Sequence, residues 1–168
     1  MSAETYYPPA GFYFSVAVAG GAVDARFQEV SGISTEFTVQ ETADGGENRF
    51  VHKLPGRTHH GPLVLKRGVI PEGSELGAWI AATVGSSLTS QIIPRHIVVT
   101  LLDGSGEPLV MWGFSGAYPT RWQISDLNSM ENRLLAETLE FSYQFYVKTT
   151  VGSGGDAAAS LQDLMAKL

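Results

Sequence analysis

The chain has 168 residues, 43% hydrophobic and 17% charged, with 19 glycines and a formal net charge of −6. That length suits one domain with a real core, and so low a charge fraction beside so much glycine fits strands and turns better than a helical bundle. An acidic chain without a lysine cluster is poorly suited to gripping phosphate backbones, and the lack of cysteine excludes disulfides, thiolate metal sites and a cysteine nucleophile.

The opening MSAETYYPPAGFYFSVAVAGG has no basic n-region, and Pro8 and Pro9 precede its apolar stretch, so it does not read as a signal peptide. No apolar run approaches the ~20 residues of a membrane span. The expectation is assembly in the cytoplasm with no direct membrane insertion.

Residues 12–19 alternate, with Phe12, Phe14, Val16 and Val18 on one face, and Gly20-Gly21 supplies a turn. Residues 26–40 are strand-like but broken at Gly32, with Phe37 and Val39 suited to a core face and Thr38 and Gln40 to a wet one. Residues 41–62 are polar and punctuated by Gly45-Gly46, Pro55-Gly56 and Gly61-Pro62. Their length predicts an extended hairpin arm with a short strand near Phe50 to Leu54. Residues 63–67 read as a further strand.

Residues 74–84 predict a helix capped by Ser74, with Leu76, Trp79, Ile80 and Thr83 on one stripe. Residues 96–114 predict a hairpin turning at Asp103-Gly104-Ser105-Gly106, with Ile97, Val99 and Leu101 on one face. Residues 134–147 predict one long strand of ~45 Å at about 3.3 Å per residue. Leu135, Leu139, Phe141, Tyr143, Phe145 and Val147 share one parity, interrupted by Glu137, and Thr138, Glu140, Ser142 and Gln144 share the other.

The end of the chain changes composition. Gly152-Ser153-Gly154-Gly155 reads as a flexible joint, and Asp156 opens a helix with Leu161, Leu164, Met165 and Leu168 in one stripe. So short a helix is marginal alone and needs a surface. The organisation is a β domain over 1–151, a linker over 152–155 and an amphipathic helix over 156–168. The fold class is mainly β, with one packed helix and one tethered helix.

Catalytic signals are weak. His59-His60 with His52 have no acidic or thiolate partner at a metal-site spacing. There is no G-x-S-x-G elbow, no phosphate-cradling glycine loop and no G-x-G-x-x-G. Glu137 and Glu140 point to opposite faces of a strand. Neither an enzyme, a metal nor a cofactor is indicated. Lys66-Arg67 reads equally as a solvated strand end or as an ion pair with an acidic neighbour. Trp79, Trp112 and Trp122 suit core or interface anchors.

Phe27-Gln28-Glu29-Val30-Ser31-Gly32-Ile33 resembles the FQEVSGL signature of the phage tail tube protein family. Gly45-Gly46-Glu47-Asn48, Lys53-Leu54-Pro55-Gly56 and Leu65-Lys66-Arg67-Gly68 are similar to its next motifs, in order. Trp79, the Ala-x-Pro-x-x-Trp run ending at Trp122 and Glu137-Thr138-Leu139-Glu140-Phe141 complete the resemblance over about residues 11–148. It implies two packed antiparallel β-sheets, a sandwich or split barrel, with a flanking helix. It implies a non-enzymatic subunit of the inner tube of a contractile phage tail or injection system, in stacked hexameric rings around a lumen. The implied partners are other copies of the chain, a sheath, a baseplate or spike and tube-terminating proteins, with a protein effector or DNA as cargo. The joint and helix at 151–168 are additional to the family domain.

On this reading Thr38, Gln40, Thr138, Glu140, Ser142 and Gln144 line the lumen, a neutral and acidic wall that would not hold an anionic cargo. Gly45, Gly46, Asn48, Arg49, Lys53, Pro55, Gly56 and Arg57 form an inter-ring arm, with Arg49, Lys53 and Arg57 meeting acidic side chains of an adjacent subunit. Leu161, Leu164, Met165 and Leu168 contact a neighbouring subunit or a component at the tube end. Two other readings stand beside it: a tube-initiator ring on the baseplate, and a monomeric small-ligand-binding β-barrel with an apolar cavity.

Overall fold

A computed structural model describes residues 13–19, 23–43, 45–46, 49–69, 75–85, 91–125, 135–151 and 157–168. The expected roles of Phe12, the Gly20-Gly21 turn, Asn48, the Ser74 cap, the 152–155 joint and the Asp156 cap lie outside these residues.

Alternating apolar residues build nine strands among the described residues. They are β1 (Tyr13–Val18), β2 (Val23–Ser31), β3 (Thr35–Thr42), β4 (His52–His60), β5 (Leu63–Gly68), β6 (Arg95–Leu102), β7 (Pro108–Ile124), β8 (Ala136–Ser142) and β9 (Phe145–Thr150). Helix α1 spans Glu75–Val84 and α2 spans Ala157–Ala166. The main sheet runs β6-β1-β2-β5-β8-β7-β9 and closes through a β6–β7 pairing. All its pairings are antiparallel. Six strands thus form a barrel, with β9 added beside β7 and β3–β4 as a separate two-stranded ribbon.

The interior is filled by Val16, Leu63, Leu65, Ile97, Val99, Phe114, Leu139 and Phe141, all essentially inaccessible to water. Helix α1 closes over this core as its spacing predicts, burying Leu76, Trp79, Ile80 and Thr83. The Trp79 ring stacks on Phe141 at 5.8 Å, and its indole N–H donates to the Ile93 carbonyl at 3.2 Å. The β6–β7 turn forms where expected, with the Asp103 carboxylate accepting the N–H groups of Ser105 and Glu107.

Three expectations need correction. Phe37 and Val39 are not core residues: they are 61% and 59% exposed. Among the described residues, strand β3 leaves the barrel and pairs only with β4, and no second layer covers either face. The arm's second strand shares only residues 52–54 with the expected span and runs on, over His52–His60. The expected face of β6 holds, with Ile97 and Val99 buried, and Val98 on its outer side is buried as well, under α2.

The third correction concerns the long last strand. It divides at Tyr143–Gln144 into β8 and β9. The divide faces Gly116 of β7, where φ is +60°, so both chains bend at one corner. Parity inverts across it. Leu139, Phe141 and Tyr143 face the core, yet beyond the corner it is Tyr146 that packs there. Phe145 is exposed and Val147 packs on the opposite face with α2.

Candidate functional site

Three surfaces of this barrel stand apart from its packed core. The first is the β3–β4 arm. Its register runs from Thr35↔His60 at the base to Thr42↔His52, with an irregularity between Phe37 and Val39. Pro55 fits here because β4 is an edge strand. The Thr38 hydroxyl fills the irregularity, accepting the Arg57 N–H at 2.9 Å and donating to the Arg57 carbonyl at 3.3 Å. Gly56 permits that approach, since a Cβ there would fall 2.4 Å from Thr38 Oγ1. Phe37, Val39 and Pro55 form an apolar strip on one face, and Leu54 is exposed beside Gln40. Gly45 and Gly46 make the turn at the tip, and Arg49 follows it, exposed. Lys53 already lies 3.9 Å from Glu41 across the ribbon, both well exposed.

The arm is seated on an aromatic cluster at the β8–β9 corner. Thr35 Oγ1 donates to the Tyr146 hydroxyl at 3.1 Å and lies 3.2 Å from His60 Nδ1. The His60 ring sits 5.6 Å from Tyr143, whose ring meets Phe114 edge-on at 4.9 Å. Burial, and secondarily the adjacent Tyr146, pushes the Tyr143 phenol above its usual pKa. His52 stands at the far end of β4, opposite Thr42, so the histidines of this segment do not converge.

The second surface is the outer face of the layer β2–β5–β8–β7. Thr138, Glu140 and Ser142 share it, opposite the buried Leu139 and Phe141. Two cations that strand alternation in β8 does not reveal stand among them. Lys66 Nζ is 2.9 Å from Glu29 Oε2, and Arg121 Nη1 is 3.2 Å from Glu140 Oε1. Arg121 also donates to the Gln123 side chain at 2.8 Å. Thr38 and Gln40 do not belong to this layer, because they are on the arm. Gln144 sits at the corner, its N–H donating to the Ser115 carbonyl at 3.0 Å. Within the described residues this layer has two unpaired edges. The β1–β2 pairing stops at Phe27, and the β6–β7 pairing stops at Ala117. Glu29, Lys66, Arg121 and Gln123 were not legible as site residues, because their grouping depends on strand register.

At the end of β5 farthest from the arm, Val69, Ile124 and Leu135 stay exposed together. The Val69 N–H donates to the Leu135 carbonyl at 3.0 Å, and Ile124 pairs opposite Glu137.

The third surface carries α2, which lies on β7 and β9 of its own chain. Leu164 is fully buried against Val98, Met111 and Val151. Ser115 Oγ donates to the Leu168 carbonyl at 3.0 Å. Of the expected stripe, Leu161 and Met165 remain 39% and 40% exposed. Gly113 makes the seat: a Cβ there would lie 2.7 Å from Leu168 Cδ1 and 3.0 Å from Leu164 Cγ. Gly113→Val is therefore expected to expel α2 while leaving the barrel folded. Hydrogen exchange should show residues 157–166 losing protection while the β6–β7 ladder keeps it.

A fully buried ion pair braces the layer from inside. Arg67 and Glu137 face each other in the β5–β8 register, and Arg67 Nε donates to Glu137 Oε1. The Trp122 indole N–H donates to the other carboxylate oxygen at 3.2 Å. The Arg67 guanidinium also lies 5.5 Å from the Phe27 ring centroid. Of the two readings of Lys66-Arg67, the ion pair holds for both residues, and Glu137 interrupts the apolar parity because Arg67 requires it. A cleft of about 510 Å³ lies beside α1, lined by Trp79, Thr83, Ile93 and Arg95 among others, outside the packed barrel interior. No helix among the described residues is long and apolar enough to cross a membrane.

Comparison with known proteins fits this geometry. No curated protein sequence matches the chain. A chain of the anti-feeding prophage baseplate, seen by cryo-EM, is 29% identical with a TM-score of 0.72, covering 91% of this chain and 100% of that one. A chain of the sheath-tube complex of an extracellular contractile injection system, PVC, is 26% identical with a TM-score of 0.73, covering 88% and 95%. Hcp1 from Flavobacterium johnsoniae shares the fold, at 18% identity and a TM-score of 0.52, covering 86% and 96%. Residues 10–146 match the family described as T4-like virus tail tube protein gp19. Helix α2 falls beyond the matched segment. The chain belongs to the T4-like tail tube protein family.

Proposed function

We propose that the chain is a non-catalytic structural subunit of the inner tube of a contractile injection particle, forming six-membered rings that stack around a channel. The observation that carries this reading is the arm: every residue of β3 is exposed, including Phe37 and Val39. A two-stranded ribbon is marginal by itself and is stabilised by packing on something else. The arm leaves one end of the barrel, and the exposed Val69, Ile124 and Leu135 lie at the other. One chain cannot bring the two together, but head-to-tail stacking does. Such a heterologous contact propagates without limit along its axis. The unpaired edges of β2 and β7 suit lateral joining of the same layer into a ring, which removes an aggregation hazard. Arg49, Lys53 and Arg57 then meet acidic groups of the next ring. The polar face of the layer becomes the channel wall, and α2, on the opposite side, becomes part of the outer surface. Sheath, baseplate and terminator proteins are the partners this arrangement requires.

Electron microscopy of the purified protein at rising concentration tests the proposal. Six-fold rings stacking into tubes are the expected result. Single rings that never stack would favour the initiator reading, suggested by the similarity to a baseplate chain. A folded monomer at every concentration would sink the proposal and favour a ligand-binding barrel.

A further inference from the structure

We propose that the channel wall is charge-compensated within each subunit, so that it conducts charged passengers of either sign without retaining them. This rests on the reading of the β2–β5–β8–β7 layer as the wall. Among the outer-face side chains that the structure describes, two cations each stand against an anion. Lys66 meets Glu29 at 2.9 Å across β5 and β2, and Arg121 meets Glu140 at 3.2 Å across β7 and β8. Thr138 and Gln123 lie between them and Ser142 beyond Glu140, all neutral and polar. Both pairs are open to solvent, so they contribute little to folding. Their effect is on the field. Opposite charges about 3 Å apart cancel at distances beyond a few ångströms, and salt screens the remainder within about 8–10 Å. Along the described side chains of this face, a polyanion meets no unmatched cation and a polycation no unmatched anion. The wall seen from β8 alone, neutral and acidic, would have repelled nucleic acid and held basic proteins. The paired wall does neither, and passengers are selected by diameter and by what anchors them at the tube end.

The test breaks the pairs one sign at a time. Glu29→Gln with Glu140→Gln leaves Lys66 and Arg121 unmatched. Lys66→Gln with Arg121→Gln leaves the two glutamates unmatched. Binding of a short fluorescent oligonucleotide and of a fluorescent oligolysine is measured by anisotropy on the subunit and by co-sedimentation with assembled tubes. The first variant should bind the oligonucleotide at least about tenfold more tightly than the parent at low salt, with the gain lost near physiological salt. The second should gain the same preference for oligolysine. Because the face is open on the free subunit, a variant that fails to assemble still reports. A parent chain that binds either probe as tightly as the matching variant overturns the inference, as do variants that gain nothing. Imaging of the parent tube separates the two failures: if this face lines the outside, the reading of the layer as a wall is what fails.

Discussion

Glu137→Ala is expected to destabilise the barrel by about 3–5 kcal/mol, because it removes the anion that faces a buried guanidinium. Arg67 and Glu137 are both almost entirely out of water, and they meet directly across β5 and β8. Removing the carboxylate takes from Arg67 the anion that faces it across β5 and β8. It also takes the acceptor from the Trp122 indole N–H. Water reaches the partly exposed Trp122 and repairs that second loss. It does not reach Arg67 without opening the strands. Urea unfolding should show the midpoint falling with the slope unchanged. The double variant Arg67→Met with Glu137→Leu should recover most of the loss, since buried pairs exchanged for apolar groups of similar volume are often neutral or better. A loss below about 1 kcal/mol in Glu137→Ala would mean a solvated pair and a different β5–β8 register.

That ion pair also marks where a linear reading of the chain stops. Periodicity finds most of the barrel, because each strand's inner residues contact a common core. The stripe Leu76, Trp79, Ile80 and Thr83 is buried as its spacing requires. Parity in β8 separates Leu139 and Phe141 from Thr138, Glu140 and Ser142. What alternation lacks is a test of whether a second layer exists. Phe37 and Val39 alternate as core residues do, yet their strand leaves the barrel and both stay in water. Alternation is also blind to a corner. Leu135 to Val147 keep one parity in sequence, but the bend at Tyr143–Gln144 moves Phe145 and Val147 to the other side. The pairs on the outer face join residues 37 positions apart (Lys66 and Glu29) and 19 apart (Arg121 and Glu140). Only strand register brings them together. The tail was legible as an apolar stripe, but its seat was not: Gly113 lies far away in sequence, and the absence of a side chain there gives no periodic signal.

Phe37→Asp combined with Val39→Asp is expected to abolish tube growth while leaving the subunit folded. Both side chains are mostly exposed in the single chain, so unfolding free energy should move by no more than about 0.5 kcal/mol. In the stacked state they are proposed to cover Val69, Ile124 and Leu135 of the next ring. Burying a side chain of this kind contributes about 1.5–3 kcal/mol, so the pair supplies about 3–6 kcal/mol per contact. Losing that raises the concentration needed for stacking by roughly 10²–10⁴-fold, at about 1.4 kcal/mol per factor of ten. The head-to-tail geometry makes a sharper distinction possible. The arm variant keeps its apolar end patch, so it should still join one end of a growing parent tube and stop growth there. Ile124→Asp with Leu135→Asp keeps the arm and should stop growth at the opposite end. Small amounts of either variant should shorten parent tubes, and both together should block both ends. Electron microscopy with an end-specific label reads the polarity directly. Tubes of ordinary length from the arm variant alone would show that Phe37 and Val39 are not what joins one ring to the next, and the apolar strip of the arm would then need a partner outside the tube.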